Sequence, residues 1–162
     1  MKRSEIFEHI QKIEDPQRDY DKILANLHYT HFFLMDRYKK LLVAYGLTST
    51  QANILGIIDF YAPGSASLEQ IKEMVLEPNS DVSRTVTRLA EKGFAEKVTD
   101  KENRRKVAIR ITPKGKKTLK TIADDGVFHK LTSGLDIAEV KNFIMVLGKL
   151  REMPDKFKTE SR

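Results

Sequence analysis

Apolar and polar positions follow two periods along this chain. From about 18 to 45, Leu24, Leu27, Leu34, Tyr38, Leu41 and Tyr45 recur three, four or seven residues apart, which predicts one long helix ended near Gly46. Before it, Ile6, Phe7, Ile10 and Ile13 predict a short helix over 4–14, stopped at Asp15-Pro16. Thr48-Ser-Thr-Gln51 has the spacing of a capping box and opens a helix from about 49 to 61, with Ala52, Leu55, Ile58 and Phe60 as apolar positions. Pro63-Gly64 stops it, and Pro63-Gly64-Ser65 reads as a turn. Ser67-Leu-Glu-Gln70 repeats the capping signal for a helix to about Leu76, closed by Pro78. Asn79 or Ser80 then caps a helix over about 81–92, ended by Gly93.

After Gly93 the period falls to two. Phe94–Val98 and Lys106–Ile111 alternate as strands around a polar connection from Thr99 to Arg105, a hairpin with a charged tip. Thr112 caps the next helix with Pro113 in its first turn, and Leu119, Ile122, Ala123 and Phe128 share one side. Asp136-Ile-Ala-Glu139 opens the last helix, striped by Val140, Phe143, Ile144, Leu147 and Leu150. The fold class expected is mainly α with a small β-hairpin wing (α+β). Two helices joined by a tight turn and followed at once by a hairpin form a winged helix-turn-helix.

Composition narrows the function. The chain has 162 residues, 40% hydrophobic and 32% charged, without cysteine, so disulfide scaffolds, thiol sensing and Cys-ligated zinc are excluded. Apolar runs are too short for a membrane span and the N-terminus lacks a signal-peptide core, so a soluble cytoplasmic protein with no membrane partner is expected. The net charge is +6, and its placement matters more than its size. Residues 99–120 hold nine basic and two acidic groups, a net +7 against −1 for the rest of the chain. No catalytic constellation or phosphate-cradling glycine loop is visible, and no enzyme or cofactor is expected.

On a helical wheel, Val82, Val86 and Leu89 fall on one side of the 81–92 helix, and Ser80, Arg84, Thr87, Arg88 and Glu91 on the other. Guanidiniums there suit guanine edges in a major groove, and short hydroxyls suit phosphates or thymine methyls. Lys101, Asn103, Arg104 and Arg105 at the hairpin tip suit a narrow, negative minor groove. Double-stranded DNA is the partner these features indicate. A winged-helix module that docks another protein is the alternative, disfavoured by the basic wing because interface cores are depleted of charge.

Residues 48–115 resemble the MarR family of winged-helix transcription regulators. The resemblance is carried by Leu47-Thr48 with Gln51, by Val86-Thr87-Arg88-Leu89 with Lys92-Gly93, and by Asp100-Lys-Glu-Asn-Arg-Arg105 with Ile111-Thr112-Pro113-Lys114-Gly115. It implies one domain over 1–162, with dimerisation helices at 1–46 and 116–162 around a DNA-binding module at 47–115. It further implies a homodimer on a pseudo-palindromic operator, probing DNA with Ser80, Ser83, Arg84, Thr87 and Arg88 and with wing residues Lys101, Asn103, Arg104, Arg105 and Lys106. Asn103 departs from the second wing Asp common in the family, and Leu76–Ser80 lacks the small-residue pattern often found before the recognition helix.

The resemblance also implies a repressor released by a small, often aromatic, effector. Its candidate lining is His28, Tyr29, His31, Phe32, Phe33 and Tyr38, residues that equally fit a dimer core of packed aromatics. His28-x-x-His31, with His129, shows no three- or four-ligand motif, so no metal site is expected.

Overall fold

The computed structural model describes residues 19–61, 64–77, 80–99 and 107–152, together with Glu5, Glu8 and Lys12. The helix expected over 4–14 otherwise lies outside the described residues. Contacts group the chain into two compact units, Met1–Leu131 and Thr132–Arg162.

The first unit opens with α1, Asp19–Leu42. Asp19 and Asp21 in its first turn and Lys39 and Lys40 in its last complement the helix dipole. A single 3-10 turn, Val43–Tyr45, follows, and Gly46 closes it in the left-handed region at φ +68°. Next comes α2, Ser49–Phe60, started by the expected capping box: Thr48 accepts from the Gln51 N–H, and Gln51 Oε1 accepts from the Thr48 N–H. This is the central helix, burying Ala52, Ile54, Leu55, Ile57 and Ile58. Phe60, expected among its apolar contacts, is exposed.

The turn expected at Pro63-Gly64-Ser65 is present at Gly64, φ +90°, and is followed from Ser65 by a strand that the sequence pattern did not indicate, β1, Ser65–Ser67. Ser-Ala-Ser carries no β-periodicity of its own. The strand exists because Ala66 pairs with buried Ile109 across the sheet. Ser67 and Gln70 form the second capping box, opening α3, Leu68–Met74. Helix α4, Val82–Glu91, is capped by Asp81, whose carboxylate accepts from the Arg84 N–H at 2.9 Å, and not by Asn79 or Ser80. A carboxylate at that end satisfies an orphan donor and meets the positive pole of the helix.

The hairpin is β2, Ala95–Thr99, and β3, Val107–Ile111. Both neighbours of β3 are antiparallel, giving a three-stranded sheet in the order β1-β3-β2 in place of the two strands expected. Thr112 caps α5, Pro113–Asp124, by accepting from the Gly115 N–H. The single helix expected there breaks at Gly126, φ +61°, and resumes as α6, Val127–Thr132. Phe128 therefore sits beyond the break and is exposed, as is Ala123. Helices α2 to α5 and the sheet, with the end of α1 and the start of α6, enclose one core, with Leu42, Ile54, Leu55, Ile58, Ile71, Val86, Leu89, Ile109 and Val127 fully buried.

The second unit holds α7, Ile137–Arg151, with a capping box from Asp136 and Glu139. None of its residues is buried, and Ile137, Phe143, Ile144 and Met145 are among the exposed apolar side chains. Among the described residues, no single helix is long and apolar enough to cross a membrane.

Candidate nucleic-acid interface

Helix α4 divides as its period requires. Val82, Val86 and Leu89 are buried against α2, α3 and the sheet, while Ser83, Arg84 and Arg88 are exposed and Thr87 is half-buried. Arg84 and Arg88 stand one turn apart on the same face, and among the described residues neither is ion-paired. Two like charges at this spacing repel by about 0.2–0.5 kcal/mol, a cost that an anionic partner would offset. Thr87 Oγ1 donates to the Ser83 carbonyl at 3.0 Å and accepts from Lys97 Nζ at 3.3 Å. Its hydroxyl is thus oriented before any partner arrives.

Ser80 does not join this face. It precedes the Asp81 cap, is half-buried, and among the described residues its Oγ is buried without a hydrogen-bond partner. Lys97 belongs beside the face and was not singled out from the sequence. The signal was present: strand alternation puts residue 97 on the side of β2 that carries buried Ala95, toward α4.

The wing residues expected to touch DNA, Lys101, Asn103, Arg104, Arg105 and Lys106, lie outside the described residues. The last described rung of the hairpin pairs Thr99 with Val107. Part of the basic charge of this segment is used internally. Arg110 pairs with Glu96 at 3.7 Å across the strands. Lys114 Nζ donates to the Lys92 carbonyl at 2.6 Å and lies 4.5 Å from the centre of the Phe94 ring. Lys116, Lys117 and Lys120 remain exposed on α5.

Two open cavities flank α4. One of about 490 Å³ lies between the end of α1, the start of α2 and Arg88. The other, about 640 Å³, is bounded by Tyr45, Lys92, Phe94, Lys114 and Lys117. Neither is lined by the aromatic residues proposed for an effector. Those residues contact one another along α1: His31 meets Phe32 edge-on at 5.5 Å, Tyr29 stacks on Phe33 at 6.3 Å, and His28 is tilted to Phe32 at 6.4 Å. Arg37 lies over Phe33 at 4.2 Å, and Tyr38 packs on Phe128 at 5.5 Å. His28, His31 and Phe32 are exposed, and Tyr29 and Tyr38 half-buried. Among the described residues, no three His, Asp or Glu side chains are grouped to hold a metal ion.

An amphipathic helix set against a helical core, with a three-stranded antiparallel sheet beside it, defines a winged helix-turn-helix fold. Residues 47–115 match a family model described as a winged helix DNA-binding domain. The fold is that of MarR-family transcription regulators. A mutant of MarR from E. coli in complex with operator DNA is similar at 19% identity and a TM-score of 0.69, over 87% of this chain and 100% of that one. BpsR of Bordetella bronchiseptica, whose DNA binding is regulated by 6-hydroxynicotinic acid, is similar at 19% identity and a TM-score of 0.65, over 79% of this chain and 91% of that one. An organohalide-sensing transcriptional regulator in its 2,4-dichlorophenol-bound form is similar at 17% identity and a TM-score of 0.69, over 86% of both chains. No curated protein sequence matches the chain.

Proposed function

We propose that this chain is a MarR-type transcription regulator, binding DNA as a homodimer on a pseudo-palindromic operator and acting in the cytoplasm as a repressor. The observation that carries the reading is the exposed Arg84–Arg88 face of α4, set on a matching winged-helix module. Ser83, Arg84, Thr87 and Arg88 enter the major groove, and Lys101, Asn103, Arg104, Arg105 and Lys106 contact the minor groove or its phosphates. Dimerisation through 1–46 and 116–162 is supported by the exposed apolar side chains of α7, because contiguous apolar surface marks interaction sites. The role is binding, without a catalytic step.

A small effector that releases the DNA fits the behaviour of BpsR and the dichlorophenol-bound structure of the organohalide sensor. The aromatic stretch His28, Tyr29, His31, Phe32 and Tyr38 is its candidate seat, completed by a second protomer. With no cysteine in the chain, release by oxidation of its own thiols is not available.

Selection of genomic fragments on the purified protein tests the reading. Enrichment of fragments sharing an inverted repeat is the expected result. Recovery of random fragments alone would remove sequence-specific regulation.

A further inference from the structure

Thr87 is half-buried on the side of α4 that carries exposed Ser83, Arg84 and Arg88. Its hydroxyl is held from two directions. The proton goes to the Ser83 carbonyl at 3.0 Å, and one lone pair accepts from Lys97 Nζ of β2 at 3.3 Å. A helical threonine otherwise divides between two rotamers, because its oxygen can bond the preceding turn from either. The bond from the strand selects the one in which the oxygen also meets Lys97. Among the described residues no carboxylate lies within ion-pair distance of Lys97, so its charge is not drawn away from Thr87. A hydroxyl has a single proton to give. Phosphate oxygens, guanine N7 and O6, adenine N7 and thymine O4 are all acceptors, so Thr87 bonds any of them only by surrendering the Ser83 carbonyl. Its remaining lone pair lies beside an ammonium, whose charge opposes a second incoming donor. What the side chain offers without breaking a bond is its γ-methyl.

We propose that Thr87 determines specificity through that methyl, selecting one thymine in each half-site, and that Lys97 is the positioning residue that keeps its hydroxyl turned to the protein. The inference rests on the reading of α4 as the helix that enters a major groove. The C5 methyl of thymine is the apolar group that base pairs present there, and a threonine methyl is a matching contact. Arg84 and Arg88 on the same face supply charge and hydrogen bonds to guanine or phosphate, so the Thr87 methyl adds a kind of readout that the guanidiniums lack. Lys97 acts from a strand, outside the recognition helix, and through Thr87 on the choice of base.

The test measures the affinity of the full-length chain for a fragment selected on wild type, with each thymine replaced in turn, in both half-sites together, by deoxyuridine. That base lacks only the C5 methyl, and each ratio of affinities is taken within one protein, so a loss of folded fraction cancels. At one symmetry-related pair of thymines, wild type should bind the uracil duplex about fifteenfold more weakly, about fourfold per half-site, the size expected for one buried methyl contact. Thr87→Val keeps the branched side chain and should keep this ratio. Thr87→Ser keeps the hydroxyl and should bring the ratio to about one. Lys97→Met should lower the ratio at that pair and leave other positions unchanged, and Lys97→Arg should restore it. A wild-type chain indifferent to every uracil replacement overturns the proposal, as does a ratio that survives in Thr87→Ser or is lost in Thr87→Val. An unchanged ratio in Lys97→Met overturns the positioning role. If wild type binds no duplex at all, the DNA-binding reading fails and this proposal with it, whereas selective binding without a methyl-dependent position removes this proposal alone.

Discussion

Lys92, the residue that ends the recognition helix α4, donates from its ammonium group to the carbonyl of Gly46 at 2.8 Å. Gly46 is the left-handed residue at which the long helix α1 and its final 3-10 turn stop. The same ammonium reaches Gln51 Oε1 at 3.2 Å, in the capping box of α2, and the Lys92 carbonyl accepts from Lys114 at the start of α5. The end of α4 is thus tied to the α1–α2 junction and to α5 by side chains that meet otherwise unsatisfied carbonyls.

Replacing Lys92 by Met keeps the aliphatic stem and the main-chain carbonyl that Lys114 meets, and removes the two ammonium bonds to Gly46 and Gln51. A net loss of about 1 kcal/mol is expected, read as a lower urea midpoint. Operator affinity should fall as well, because α4 loses its register to α1. An unchanged midpoint and affinity would show that the tie carries nothing.

Gly115 is the position where the fold leaves no room. A Cβ there would strike the Phe94 carbonyl, come within 2.7 Å of Ile111 Cγ1 and press on Leu55 Cδ1 at 3.3 Å. The backbone of α5 must pass that close because Thr112, its cap, also donates to the Gly93 carbonyl at 2.7 Å. Gly115→Ala should destabilise by roughly 3 kcal/mol, because backbone cannot yield as a side chain can. Calorimetry should show a Tm lower by roughly 6–12 °C. A Tm within a degree of wild type would contradict the packing described.

Two tyrosines are held protonated. The Tyr45 hydroxyl donates to Asp125 Oδ2 at 2.6 Å, and this bond, with smaller contributions from burial and the carboxylate charge, raises its pKa above the ordinary 10.0. Burial raises that of Tyr38. A raised value means that the neutral phenol is favoured by the fold, so its contribution is complete below the ordinary pKa and is lost as pH climbs through the folded one. Tyrosinate absorbance should therefore include a component that titrates late, and Tyr45→Phe should remove part of it. A curve above pH 10 that is the same in both proteins would contradict the Tyr45–Asp125 bond.

What was legible in the sequence was local. The boxes at Thr48–Gln51, Ser67–Gln70 and Asp136–Glu139 are four-residue arrangements, and each forms as its spacing indicates. The two faces of α4 follow from a period of 3.6 residues. What escaped depends on distant parts of the chain. Strand β1 exists through its pairing with β3, with Ala66 opposite Ile109, and the cavity of about 490 Å³ forms where the end of α1, the start of α2 and α4 converge. Apolar stripes also do not state what covers them: Phe143 and Phe128 fit the pattern of a core yet stand exposed. The basic run from 99 to 120 indicated a polyanion but not that Arg110 is committed to Glu96 and Lys114 to the Lys92 carbonyl.

The central claim is that Arg84 and Arg88 on α4 meet DNA. The most direct measurement is the affinity of wild type and of Arg88→Ala for a selected genomic fragment and for random duplex, at several salt concentrations. Wild-type log K should fall steeply with log salt as condensed counterions are released. Arg88→Ala should lose about 1–3 kcal/mol on the selected fragment and less on random DNA. Wild-type affinity indifferent to salt, or an Arg88→Ala chain that binds the selected fragment as tightly as wild type, would contradict it.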